Sequence, residues 1–520
     1  MSSVVGVIHE LCARHAPRTA LVDLAWDDTG GQWQRGASIT YGALHENTLR
    51  LADALAQRSV GAGRRVAVLL DNSVELVVSE WACLVSGLVW VALNVRSSAA
   101  EHAAILRDCS PSVVIVAPRY RDRIDPGALP AACVVVETGG AGDWQTLLAS
   151  GRPQLPPHEP AEDDPVRLRY TSGTAGLPKG AVLPRRCYDA SVEVVGDVIG
   201  PLRPDDVLAQ VAPMTHAAGA MWLPHAVAGA TALLADRFDA NALAGLVRRE
   251  RVTSMFLVPT MLVRFLEAIG ASPPPQTLRS IVYGGAAMPV DRLERGLELL
   301  GPVFVQIYGL TESNWPVTAL RREEHLAGPD PAARRRRLAS CGRATAVGEV
   351  RIVGDDGTGA LPGCPGEMLV RGRNTMLGYW GRQRGDAKGL DADGWMHTGD
   401  VAVRDDEGFV TIVDRLHDMI VSGGFNVYPR EVEDALSSHP SVLEAAVVGR
   451  PDPEWGETVH AVVVLRDGAK PDEAALARHV ASRTAPFKKP RSFEFVSELP
   501  KNAAGKVLRR ALKTTAPPAV

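Results

Sequence analysis

Four hydroxyl-bearing residues (Tyr170, Thr171, Ser172, Thr174), three glycines (Gly173, Gly176, Gly180) and the lysine Lys179 fall within the stretch RYTSGTAGLPKGAVL that runs from Arg169 to Leu183. Glycines let backbone N–H groups turn inward, hydroxyls add donors and the lysine adds charge, so the stretch can wrap a polyphosphate. It is not a GxxxxGK[ST] loop, because Gly180 rather than Ser or Thr follows Lys179. Taken alone, such a cluster also reads as an ordinary turn. The apolar residues Ala181, Val182 and Leu183 behind it predict a loop that runs into buried structure.

Alternating patterns surround the loop. Tyr41 to Arg58 is amphipathic, Arg65 to Asp71 holds a short apolar strand, and Ser73 caps a helix expected to reach Ser86. Apolar runs at 113–117 and 133–137 read as further strands, and such runs separated by helices imply a parallel sheet covered on both faces. Gly139 to Asp164 reads as a Gly/Pro-rich, acidic connector. The alternation resumes through 206–286. Between about 340 and 415 it gives way to short β-like runs broken by Gly and Asp, the texture of a small barrel or antiparallel sheet. A compact tail follows Asp418. The expected fold class is α/β, with a large N-terminal domain (1–416) of doubly wound subdomains plus a small β-barrel-like subdomain, and a small α+β C-terminal domain (417–520).

The bulk properties exclude several classes. At 520 residues, 46% hydrophobic and 22% charged, the chain is neither disordered nor fibrous and is too long for a single core. A net charge of -4 and a pI near 6.4 provide no basic field for nucleic acid. The basic run Arg334–Arg337 reads as a solvated loop. Seven scattered cysteines, never in a CxxC pair, argue against a disulfide scaffold or zinc site and fit a reducing compartment. The N-terminus lacks a signal-peptide core, Trp81 to Leu93 is too short to span a bilayer, and the C-terminal APPAV is no lipidation or peroxisomal address. The expectation is a cytoplasmic protein without a membrane span, either monomer or homodimer.

Five further stretches stand in order along the chain: YGGAAMP at 283–289, YGLTES at 308–313, WMHTGD at 395–400, DRLHDMIVSGGFNVYPREVE at 414–433 and PKNAAGKVLRR at 500–510. With the loop at 170–180, this set resembles the signature motifs of the adenylate-forming (ANL) superfamily, which includes acyl- and aryl-CoA synthetases, nonribosomal adenylation domains and luciferases. The likeness spans essentially the whole chain and is closest to the acyl-CoA synthetase, or acid–CoA ligase, branch. It implies ATP, Mg²⁺ and coenzyme A as reactants and cofactor. A carboxylic acid is joined to AMP with loss of pyrophosphate, and the acyl group then passes to the CoA thiol.

The resemblance also implies roles for residues. Thr171, Ser172, Gly173, Thr174, Gly176 and Lys179 would cradle the phosphates. Gly284, Gly285 and Ala286 would let the base approach the backbone, Tyr308 beside Gly309 would stack on adenine, and Thr311 would donate to the α-phosphate. Glu312 and Thr174 would hold Mg²⁺ through hard oxygens. Asp400 and Arg415 would meet the ribose, and Ile412 would belong to the same nucleotide site. Lys506, on a mobile tail hinged at His417, would neutralise charge between carboxylate and phosphate; relatives generally carry Asp or Lys at the hinge. Ser422, Gly423 and Gly424 would line a pantetheine tunnel, with Trp455 against the CoA arm. Each has a bland reading: a strand end and helix cap at Thr311, a turn at Asp400, a solvated lysine at 506, a core tryptophan at 455. Two anions must meet in this reaction, so placed cations dominate and no side-chain nucleophile is needed.

The segment Ala212–Gly219 occupies the family's aromatic/His motif. Amino-acid-activating relatives place an Asp there for the substrate ammonium; this chain has His216, which disfavours α-amino acids because an unpaired buried ammonium is costly. His216, Ala217 and Ala218, with Trp222, Val258, Gly284 and Trp315 as candidate walls, imply a roomy pocket for an uncharged acyl or aryl group. Ordinary core is the alternative for both tryptophans. Two other functions compete: an acyl-adenylate former that serves a carrier-protein thiol or an amine, and a catalytically silent nucleotide-binding scaffold.

Overall fold

The computed structural model describes residues 3–139, 142–154, 159–171, 178–270, 275–314, 316–328, 330–354, 356–382, 389–416, 418–422, 425–501 and 507–513, with the side chains of Thr171, Asn426 and Arg510 excepted. Contacts divide the chain into two compact units, Met1–Val350 with Val370–Met396, and Arg351–Leu369 with His397–Val520.

The first unit is built on two sheets. One is six-stranded, in the order Val134–Glu137, Val113–Val116, Arg65–Leu69, Val89–Ala92, Pro165–Thr171, Lys179–Pro184; all neighbours are parallel except the last pair. The other is nine-stranded. Its parallel centre runs Phe304–Tyr308, Ser280–Gly284, Ser254–Leu257, Val207–Gln210, Thr231–Ala235, Thr19–Asp27, with antiparallel strands at both edges. Val113–Val116 and Ser254–Leu257 are buried at every position, as a strand covered on both faces must be.

The helix Val74–Ser86 starts where Ser73 Oγ accepts from Leu76 N (3.3 Å) and stops at Gly87, whose φ of 69° suits only glycine without strain. Every residue from Leu76 to Val85 is buried, so this helix is enclosed rather than amphipathic. Trp222 lies between the rings of Tyr41 and Trp81, 6.1 Å from each and nearly parallel to both, which joins three helices in the main core.

Three features depart from the sequence expectation. The connector at 139–164 contains a helix, Asp143–Ser150, which buries Trp144, Leu147 and Leu148 at helical spacing. The basic run Arg334–Arg337 is not a loop but part of the helix Pro331–Ala339. Asp330 caps that helix, and Arg335 is paired with Asp291 and Glu294. The hairpin Thr19–Asp27/Gln32–Thr40 has no counterpart in the sequence pattern; its first strand gains its partner from Thr231–Ala235, far along the chain.

The second unit carries most of a four-stranded sheet (Gly348–Val353, Pro365–Gly372, Met396–Arg404, Val410–Arg415). Its other sheet is five-stranded and centred on the hairpin Val442–Asp452/Gly456–Leu465, with helices Pro429–Ser437 and Glu473–Ala481 packed against it. Among the described residues, no helix is long and apolar enough to cross a membrane.

Candidate active site

Residues expected at the nucleotide and the acid follow the carboxyl ends of adjacent parallel strands. His216 comes after Val207–Gln210, Val258 after Ser254–Leu257, and Gly284 with Gly285 closes Ser280–Gly284; Tyr308, Thr311 and Glu312 close Phe304–Tyr308. The crevice beyond the carboxyl ends is where open parallel sheets bind ligands. Gly284 pairs with Ile307, and a Cβ there would lie 2.3 Å from the Ile307 carbonyl oxygen, so only glycine fits. Gly285 has φ +82° and stands beside Val258 Cγ1. Gly285 and Ala286 are exposed, leaving a low wall of small atoms.

The turn Thr311–Ser313 packs against both Pro165–Thr171 and Lys179–Pro184, linking the strand end of one sheet to the loop of the other. Asn314 holds the turn from behind. Its φ of 28° is uncommon without glycine, and its Nδ2 donates to Cys187 O (3.1 Å) and Ser191 Oγ (3.0 Å). A strap, residues 376–380, runs along the front: Met376 N donates to Glu312 O (2.8 Å), Leu377 N to Val182 O (2.9 Å) and Trp380 N to Gly180 O (2.8 Å). Tyr379 on the strap donates its hydroxyl to Glu312 Oε1 (2.9 Å), and its ring centroid lies 5.3 Å from Lys179 Nζ. Lys179 and Glu312, both chosen from the sequence, therefore meet at a tyrosine that no motif marked.

Glu312 fits Mg²⁺. One oxygen is held by Tyr379, and Oε2 has no hydrogen-bond partner among the described residues. Mg²⁺ is commonly held by one or two carboxylates together with phosphate oxygens and water. Ser172, Gly173, Thr174 and Gly176, with the side chain of Thr171, lie outside the described residues, as does Trp315.

At the acid motif, His216 is exposed and precedes the 3₁₀ turn Ala217–Met221, with Nδ1 2.9 Å from Thr215 Oγ1. Ala218 is buried, and a Cβ on Gly219 would lie 2.0 Å from Met214 O. Trp222, expected as a candidate wall, is only 1% exposed, because core rings cover both of its faces. Two residues that no sequence motif marks fix this segment. Asn72 donates to Gln210 O, Ala212 O and Ala235 O and accepts from Met214 N. Arg167, itself buried, donates to Thr215 O (2.9 Å), pairs with Glu80 (3.2 Å) and lies 4.5 Å over the Trp90 ring. Tyr188 donates to the Glu80 carboxylate at 2.7 Å, so the Arg167–Glu80 pair is hydrogen-bonded on both sides, while Arg167 Nε has no partner among the described residues. No periodicity or short motif signals such long-range partners.

In the second unit, Asp400 is buried opposite Arg415 on paired strands, with Arg415 Nε 2.5 Å from Asp400 Oδ1. Glu367 steadies this turn by accepting from Gly399 N (3.1 Å), and its other oxygen lies 2.9 Å from His397 Nδ1. Ile412 lies on the same strand as Arg415, and its carbonyl accepts from Arg430. Burial raises the Asp414 carboxyl above its ordinary value, opposed by the N–H groups of Arg430 and Arg415 that it accepts.

Ser422 is buried and registered against Gly456, which follows Trp455 in the chain. Trp455 is half-buried with Arg491 stacked 4.1 Å over its ring, so it is not the enclosed core residue of its bland reading. Arg509 reaches Asp418 (3.2 Å) and Glu433 (2.8 Å). Val507 is bridged to Lys501, whose Nζ pairs with Glu444 at 2.7 Å. His417, Gly423, Gly424 and Lys506 lie outside the described residues.

Comparison with known proteins gives a consistent result. A family model described as AMP-binding enzyme matches residues 8–380, and one for the AMP-binding enzyme C-terminal domain matches 431–506. The chain is 38% identical to a feruloyl-CoA synthase from an Amycolatopsis species, covering 91% of this chain and 93% of that one. It is 37% identical to an indoleacetate–CoA ligase from Aromatoleum aromaticum, covering 90% and 91%. A solved o-succinylbenzoate CoA synthetase from Bacillus subtilis, in complex with its acyl-adenylate intermediate, superposes with a TM-score of 0.85 at 28% identity over 99% of both chains.

Proposed function

The chain belongs to the AMP-binding enzyme family, and on that premise we propose how its residues divide the work of an acid–CoA ligase and which acid it takes. The enzyme is an AMP-forming acid–thiol ligase: ATP and a carboxylic acid give an acyl-adenylate and pyrophosphate, and CoA then gives the thioester, AMP and a proton. In our reading the acid's oxygen attacks the α-phosphorus while Thr311 donates to the α-phosphate and Lys179 steers the outgoing pyrophosphate. Glu312 holds Mg²⁺, which when bound offsets phosphate charge. Asp400 and Arg415 take the ribose. Lys506 adds positive charge where carboxylate and phosphate meet, carried by a mobile lid from residue 417 onward. Ser422 and Trp455 serve the CoA arm.

The acid is a carboxylate whose acyl or aryl group carries no charge. The observation that carries this is the His216–Gly219 motif at the carboxyl ends of the central strands, with small residues and no carboxylate for a substrate ammonium. The aromatic acids named for the relatives support an aryl group first. All seven cysteines are free, which fits the reducing cytoplasm we assign to it.

AMP release measured with and without CoA across benzoic, cinnamic, indolic and fatty acids tests the reading. CoA-stimulated AMP release with a thioester product is expected for at least one aromatic acid. CoA-independent AMP release without thioester would point to a carrier protein or amine as acceptor, and absence of pyrophosphate exchange with every acid would overturn the function.

A further inference from the structure

We propose that Tyr379 is a positioning residue that ties the two charges facing the triphosphate, Lys179 and Glu312, to a single side chain. The proposal rests on the roles given above to those two residues. The Tyr379 hydroxyl donates to Glu312 Oε1 at 2.9 Å, which fixes the carboxylate and leaves Oε2 as the single oxygen with no hydrogen-bond partner among the described residues. An ion that demands near-octahedral geometry gains most from a ligand oriented in advance.

On the ring face, Lys179 Nζ stands 5.3 Å from the centroid. A ring attracts an ammonium without neutralising it, so the cation is placed yet free to transfer to a phosphate oxygen. A carboxylate in the same place would compete with the phosphate. The strap makes the arrangement rigid, because Met376 N is bonded to Glu312 O while Leu377 N and Trp380 N are bonded to the strand that Lys179 begins.

Calorimetric titration of the full chain with ATP, in EDTA and in saturating Mg²⁺, tests this without relying on turnover. Tyr379→Phe is expected to leave affinity in EDTA within about twofold of the parent and to cut the Mg²⁺-dependent gain about tenfold, the scale of losing one hydrogen bond to a charged group. Tyr379→Leu should also weaken ATP binding in EDTA several-fold, since Lys179 loses its platform. Glu312→Gln should remove the Mg²⁺ gain, and adding Tyr379→Phe to it should change nothing further. Unchanged affinity in EDTA reports an intact fold for the Phe variant. A Phe variant with the full Mg²⁺ gain, alongside a Gln variant without it, would overturn the coupling and leave the Glu312 role standing. A Gln variant that kept the gain would overturn the Glu312 role and the coupling with it.

Discussion

Asp400 and Arg415 stand opposite each other on paired strands, the carboxylate buried and the guanidinium with 40% of its side-chain surface in water. In the role proposed for it, the Asp400 side chain accepts from two neighbouring ribose hydroxyls at once. Asp400→Asn is expected to raise the KM for ATP about tenfold or more while leaving the KM for the acid near the parent value. Arg415→Ala should cost less than the about 3–5 kcal/mol typical of breaking an enclosed pair, because this guanidinium is partly solvated. Steady-state kinetics with each substrate varied, together with thermal unfolding, check both.

Lys506→Ala is expected to slow adenylation a hundredfold or more, on the scale of about 3–4 kcal/mol for removing a donor to developing charge. Thioester formation from supplied acyl-adenylate should fall far less. Single-turnover assays of the two half-reactions separate the effects, and equal losses would contradict a lid that serves them in different positions.

Gly219→Ala places a Cβ against Met214 O, where only 2.0 Å is available. The backbone of the acid motif must shift, and overpacking of this kind costs about 1–3 kcal/mol. The expected signature is a lower Tm with a raised KM for the acid and a nearly unchanged KM for ATP.

Asp23 gives a pH prediction. Burial, with Glu75 nearby, pushes its pKa up to about 7 from an ordinary 3.8, against the Val74 N–H that it accepts. The native chain then retains a proton that the unfolded chain releases, so stability is fully present below about pH 4 and is lost as pH rises through 7. Asp23→Asn should therefore raise Tm relative to the parent above pH 7, with the gap closing as pH falls toward 4. A gap independent of pH would show that the carboxylate does not titrate there.

The strand ends that carry the candidate site are legible in the chain itself, for a physical reason. Motif residues such as Gly284, Tyr308 and Glu312 lie next to buried strands in sequence, so apolar runs locate the strand ends while glycines and hydroxyls mark the turns beyond them. Tyr379, Arg167, Asn72 and Asn314 leave no such mark because their partners are distant in the chain: Glu312, Thr215, Gln210 and Cys187 respectively. Local pattern carries no information about such meetings. The helix Asp143–Ser150 is hidden differently, its three buried residues being too few to outweigh the Gly and Pro around them.

The last described helix is anchored by paired charges. Val507 is bridged to Lys501, and Arg509 grips Asp418 and Glu433. Arg509 thereby ties the helix Arg509–Lys513 both to Asp418 and to the helix Pro429–Ser437, so replacing its guanidinium would unfasten this helix from two elements at once and leave the largely buried Glu433 carboxylate without its charged partner.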